Sequence, residues 1–112
     1  MASKKIGQAT RKFTNPPIII GTGTVVGPME GRGPLAGDFD VVLPDLTCGE
    51  KTAEKGERKF LEQAAQIAIE RSGISKDIVD YYIAGDLLNQ IISASFSARQ
   101  LAIPFLGVYG AC

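Results

Sequence analysis

Hydrophobic and polar positions change their period several times along the chain, and each change marks an element. Residues 18–20 are three consecutive isoleucines, followed by Thr22, Thr24, Val25 and Val26. This β-branched run, entered through Pro16-Pro17, predicts a first strand. Glycine and proline then punctuate residues 27–37 and predict an ordered loop, while residues 38–45 read as a short extended stretch closed by Pro44. From 52 to 72 the spacing becomes helical, with Phe60, Leu61, Ala64, Ala65 and Ala68 on one stripe and Glu62, Gln66 and Glu70 on another. Gly73 supplies the stop. Glu54 and Arg58 stand four residues apart and are expected to pair, whereas Gly56 in the first turns costs up to ~1 kcal/mol against Ala.

Residues 75–80 predict a short capped turn, and 81–84 a second strand that ends at Gly85-Asp86. A second helix is expected over 89–102, with Ile91, Ile92, Phe96 and Leu101 as its bulky positions. Ser93, Ala94, Ser95, Ser97 and Ala98 are small enough for close packing, including a dimer surface. Pro104 ends this helix and residues 105–109 predict a third strand. Strand, helix, strand, helix and strand in succession define an α/β fold with at least one right-handed parallel crossover.

Charge sharpens the picture at the C-terminal end. From Tyr81 to Cys112 the only charged residues are Asp86 and Arg99, a run that calls for burial on both faces. A free carboxylate at the end of a buried strand is costly, so the natural product is expected to be longer than this segment. The length of 112 residues allows at most one domain, and 12 basic against 12 acidic residues give no general attraction to nucleic acid. Lys4, Lys5, Arg11 and Lys12 make residues 1–15 a basic, solvated arm. Without any His, the segment by itself holds no Ser-His-Asp triad, no Cys-His pair and no His-ligated metal. Cys48 and Cys112 form no CxxC pair, which favours a reduced compartment over a disulfide scaffold. No apolar stretch approaches the ~18 residues of a membrane-spanning helix, so membrane contact is expected to be peripheral.

Among motifs, Gly21-Thr-Gly23-Thr-Val-Val-Gly27 has the look of a dinucleotide loop, but its third Gly falls one residue late and no helix follows. The 27–37 loop lacks the ending of a phosphate-binding loop and reads as structured surface. Cys112 follows a buried strand and a Gly-Ala pair, where a strand-to-helix elbow would expose a thiol and a helix N-terminus would lower its pKa. The competing reading is a small buried hydrophobe. Cys48 lacks any such context. Asp86, Asn89 and Gln90 follow a strand whose C-terminal end is where open α/β sheets place ligands, although Asp86 or Asn89 also suits a helix cap. Arg99 is expected to pair with a carboxylate such as Asp86, and Tyr81, Tyr82 and Tyr109 to lie in the core. Asp38, Asp40 and Asp45 lack EF-hand spacing and read as surface acids.

Several of these segments together resemble one family. Asn15-Pro-Pro-Ile-Ile-Ile, Val26-Gly-Pro-Met-Glu-Gly-Arg-Gly-Pro-Leu, Phe39-Asp, Glu54-Lys-Gly-Glu57, Ile83-Ala-Gly-Asp-Leu-Leu-Asn-Gln90 and Val108-Tyr-Gly-Ala-Cys112 resemble the stage V sporulation protein AD family. Ala-Gly-Asp and Gly-Ala-Cys also resemble the wider thiolase and ketoacyl synthase superfamily. Gly56, where the family pattern suggests Ala, is a departure. The resemblance implies a thiolase-like fold layered α-β-α-β-α, of which residues 1–112 are the incomplete start of the first half, with 27–50 as a Gly/Pro-rich loop insertion. It also implies a binding component for dipicolinic acid, with its calcium, that supports uptake into the developing spore. The implied setting is the cytoplasmic side, peripheral to the spore inner membrane, as a homodimer beside membrane-embedded subunits of a transport assembly. In this reading Cys112, Asp86, Asn89 and Gln90 bind the ligand and no resident cofactor or metal is needed. The alternative is an acyltransferase of the thiolase or ketoacyl-synthase type with Cys112 as nucleophile, its partner groups lying beyond residue 112.

Overall fold

The computed structural model describes residues 4–110. A small hairpin opens the chain: β1 (Lys5–Ile6) pairs antiparallel with β2 (Thr10–Arg11) across a turn in which Gly7 has a φ of 71°. The basic arm is thus folded on itself, and it stays solvent-exposed as its charge requires. The first strand is far shorter than its β-branched run suggests. Only β3 (Val25–Val26) is paired, in parallel, with β4 (Val41–Val42). Ile18 to Ile20 find no partner strand among the described residues, and Ile19 is 84% exposed. The intervening loop carries two single turns of 3₁₀ helix, Glu30–Arg32 and Ala36–Asp38.

Helix α1 (Ala53–Ser72) forms where the periodicity places it. The Thr52 hydroxyl accepts the amide of Lys55 at its start, and Gly73 closes it at φ 72°, the left-handed conformation that costs glycine least. Two expectations for this helix are corrected. Arg58 pairs with Glu62 at 3.0 Å rather than with Glu54, and Lys59 joins from the other side at 3.4 Å. Gly56 is buried where the loop before the helix crosses it: a Cβ would lie 2.7 Å from Thr47 Cα and 2.8 Å from its carbonyl oxygen. The lost helix propensity is therefore offset by a backbone contact that Ala would block.

A 3₁₀ turn at Lys76–Ile78, with the Ser75 hydroxyl accepting from Asp77, leads into β5 (Tyr82–Ala84). Helix α2 (Ile92–Leu101) then returns the chain to β6 (Phe105–Gly107), parallel to β5 in the register Tyr82–Phe105, Ile83–Leu106 and Ala84–Gly107. This is the strand–helix–strand crossover expected from the alternating pattern. The small residues of α2 are spent inside the chain: Ser93, Ala94, Ser97 and Ala98 are its buried face and pack toward α1. They consequently cannot serve as a dimer surface, and the bulky Ile92 and Phe96 point outward instead.

Gly21 and Gly23 lie flat against α1. A Cβ on either would press into the helix backbone, at Ser72 and Ala68 respectively, each at 2.9 Å from an amide nitrogen. The Gly-x-Gly spacing thus serves strand-to-helix approach, not phosphate binding. The sheet β5–β6 is covered on one side only. Tyr82 and Phe105 stack toward the helices with ring centroids 6.1 Å apart, while Ile83 (62%) and Leu106 (56%) form an exposed cross-strand pair on the other. Total accessible surface is 8184 Å², against ~6,000 Å² for a close-packed chain of this mass. Parallel sheets are normally covered on both faces.

Candidate functional site

The C-terminal ends of β5 and β6 lie side by side, and the loops leaving them build one polar corner. Pairing continues past β6, since the amide of Val108 donates to the Ala84 carbonyl at 3.0 Å. From there the β5 chain passes through Gly85 and Asp86 into the 86–91 loop, and the β6 chain into a turn at Tyr109-Gly110, where Gly110 has a φ of 58°. The side-chain carbonyl of Gln90 accepts the Gly110 amide at 3.1 Å, tying the two loops together.

Asp86 organises the corner. It is 3% exposed, and its two carboxylate oxygens accept the amides of Ile91 and Ala94, each at 2.7 Å. These are charge-assisted bonds to donors that open α2, a helix whose own N-cap, Ile91, offers no side-chain acceptor. Ile91 sits at φ 72°, a conformation that disfavours a β-branched residue, and the Asp86 bond holds its amide there. Gly107 accommodates the Ile91 side chain, because a Cβ there would stand 3.1 Å from Ile91 Cδ1.

Arg99 does not reach this carboxylate. It is exposed on α2 and makes no ion pair among the described residues. Nor are all three tyrosines core residues: Tyr82 alone is half-buried, its hydroxyl 3.2 Å from Ser97 Oγ, whereas Tyr81 and Tyr109 are exposed. Burial pushes the Tyr82 hydroxyl above the usual tyrosine pKa, opposed by the Ser97 hydrogen bond.

Asn89 stands apart from its neighbours. Its backbone carbonyl accepts from Ile92 at 2.9 Å, but its side-chain amide is exposed and takes no partner among the described residues. Cys112, two residues past Gly110, lies outside the described residues. Cys48 does not join the corner; it is half-buried at φ 52° in the turn before α1, with its sulfur 3.3 Å from Gln63 Nε2.

One participant is not among the site residues that the sequence singles out. Glu57, on α1, extends Oε2 to the amides of Leu87 and Leu88 at 3.1 and 3.4 Å. Its sequence signal is weak but real: a carboxylate three residues before Phe60 and four before Leu61 falls on the apolar stripe rather than on the polar one.

Of the three aspartates of the 38–45 stretch, Asp38 is exposed and the other two are committed elsewhere. Asp40 pairs with Arg71 and accepts from both the amide and hydroxyl of Thr24, pinning β3 to the end of α1. The Arg71 guanidinium, followed by the Thr24 amide, holds the Asp40 carboxyl below the usual carboxylate range. Asp45 accepts from the Gly49 and Thr47 amides and the Thr47 hydroxyl, and these bonds lower its pKa likewise. Among the described residues no group of three or more His, Cys, Asp or Glu side chains converges as a metal site.

The architecture defines a small mixed α/β unit with polar loop residues gathered at the C-terminal ends of two parallel strands. The chain belongs to the Stage V sporulation protein AD family, whose model matches residues 7–112. It is 40% identical over 109 residues to the Stage V sporulation protein AD of Bacillus subtilis (strain 168), an alignment that covers 97% of this chain. The chain spans about a third, 32%, of that relative's length.

Proposed function

We propose that the corner at the ends of β5 and β6 is part of a binding site for dipicolinic acid, brought in with its calcium, and that the protein supports uptake of this ligand during sporulation. The observation that carries the reading is the joining of the 86–91 loop to the turn before Cys112 through Gln90 and Gly110. Ligands of α/β sheets bind at such strand ends. Both Asp86 oxygens are engaged by backbone amides, so Asp86 and Gln90 shape the site while the Asn89 amide and the Cys112 thiol meet the ligand. A small planar dianion suits a neutral amide donor better than a second carboxylate.

The segment in this reading opens a thiolase-like layered fold, and the uncovered face at Ile83 and Leu106 is supporting ground because it awaits a further layer. The relative about three times as long has chain enough to supply one. The assembled protein acts as a homodimer on the cytoplasmic side of the spore inner membrane, beside membrane-embedded subunits of the same transport assembly. No helix among the described residues is long and apolar enough to cross a membrane. The test is titration of the full-length protein with dipicolinic acid, with and without calcium, for the parent, Asn89→Ala and Cys112→Ala. Loss of a hydrogen bond to a charged ligand is worth about 1.5–3 kcal/mol, so Asn89→Ala weakens binding roughly 10- to 150-fold. Absence of saturable binding, with transfer of an acyl group from a thioester to Cys112, would replace this reading with an acyltransferase.

A further inference from the structure

We propose that Glu57 is a positioning residue for the ligand corner: it acts from α1 by fixing the backbone of the 86–91 loop that presents Asn89. The inference rests on the reading of this corner as the dipicolinic acid site. Apolar packing holds the middle of the loop only weakly, since Leu87 and Leu88 are each more than half exposed. Their amides are held instead, and the holder is Glu57 Oε2 at 3.1 and 3.4 Å.

The loop is therefore fastened at three places by three side-chain acceptors. Glu57 holds residues 87 and 88, Asp86 holds 91 and 94, and Gln90 holds 110. Asn89 lies between the first and second of these fastenings, with its side chain exposed. Freeing the amides of 87 and 88 removes one of the fastenings that flank Asn89, and spreads the positions of its side-chain amide. Binding then weakens because the loop must be ordered when the ligand arrives.

The placing of the carboxylate supports the same conclusion. Glu57 borders a hollow of about 400 Å³ that it shares with Leu46, Ala53, Phe60 and Leu88. Apolar walls strengthen a bond from an amide to a carboxylate. Its second oxygen, Oε1, is buried without a hydrogen-bond partner among the described residues.

The experiment compares parent, Glu57→Gln, Glu57→Met and Glu57→Ala in the full-length protein by hydrogen exchange over residues 85–91 and by dipicolinic acid titration. Met keeps the stem and volume without an acceptor; Gln keeps an acceptor oxygen. Met and Ala are expected to speed exchange at the Leu87 and Leu88 amides tenfold or more and to weaken dipicolinic acid binding about tenfold. Protection within α1 is expected to stay at the parental level, and Gln to restore both readouts to within about threefold. Exchange at 87 and 88 within twofold of the parent in the Met variant overturns the proposal, as does parental affinity in a variant whose loop exchanges fast. If the Met and Ala variants do not fold, the parent decides, because unprotected Leu87 and Leu88 amides refute the hold outright. A parent that does not bind dipicolinic acid overturns the ligand reading, while the exchange data still report whether Glu57 restrains the loop.

Discussion

Replacing Asp86 tests the physical core of the corner. In Asp86→Ala the amides of Ile91 and Ala94 lose acceptors at 2.7 Å, and Ala94 is fully buried, so water cannot substitute at that donor. An exposed N-cap is worth ~1 kcal/mol. A hydrogen bond to a charged group is worth about 1.5–3 kcal/mol, and two of them set the loss at about 3–6 kcal/mol. Ile91 is the first place the loss is felt, because its left-handed backbone has no intrinsic support. Asp86→Asn keeps one acceptor oxygen and is expected to lose about half as much. The assay is urea unfolding of the full-length protein followed by far-UV circular dichroism. A loss below about 1 kcal/mol for Asp86→Ala, with α2 amides as protected as in the parent, would refute the argument.

Gly23→Ala is expected to destabilise by about 1–3 kcal/mol in the same assay, because its Cβ meets the α1 backbone at Ala64 and Ala68 rather than a side chain that could turn away. Asp40 has a folded-state pKa below its usual 3.8, so its contribution is complete above that value and is lost as pH falls through the folded pKa; Asp40→Asn should shrink the acid-induced loss of stability below about pH 4. Tyr82 has the opposite sense: its raised pKa means that the unfolded chain ionises first as pH climbs past 10, so stability falls there, and the ultraviolet difference spectrum between parent and Tyr82→Phe should show this phenolate forming late. Ile83→Lys with Leu106→Lys should lower dye binding to exposed apolar surface in the 112-residue chain while leaving its helix content unchanged, because both side chains face solvent there.

The candidate site was partly legible. Asp86, Asn89 and Gln90 stand out because a strand run ends and polar residues follow, a pattern visible within ten residues of chain. Their division of labour is not visible, since it depends on which backbone amides each side chain reaches. Glu57 lies 30 residues from the amides it holds, and no local pattern links the two. Cys112, the most suggestive residue by sequence, lies outside the described residues, so its place rests on the family resemblance.

By itself the sequence determined what depends on neighbours along the chain: the body of α1 and its Gly73 end, the β5–α2–β6 alternation, and the end of α2 before Pro104. These follow from side-chain period, caps and backbone restrictions, which act over a few residues. Tertiary structure alone decided why Gly21, Gly23 and Gly56 lack side chains, which face of α2 turns inward, and that Ile18 to Ile20 find no partner strand among the described residues. A strand exists only when a partner supplies its hydrogen bonds, and a glycine is required only where another backbone comes within contact. Both conditions are set by segments far away in sequence, and the packed chain alone brings them together.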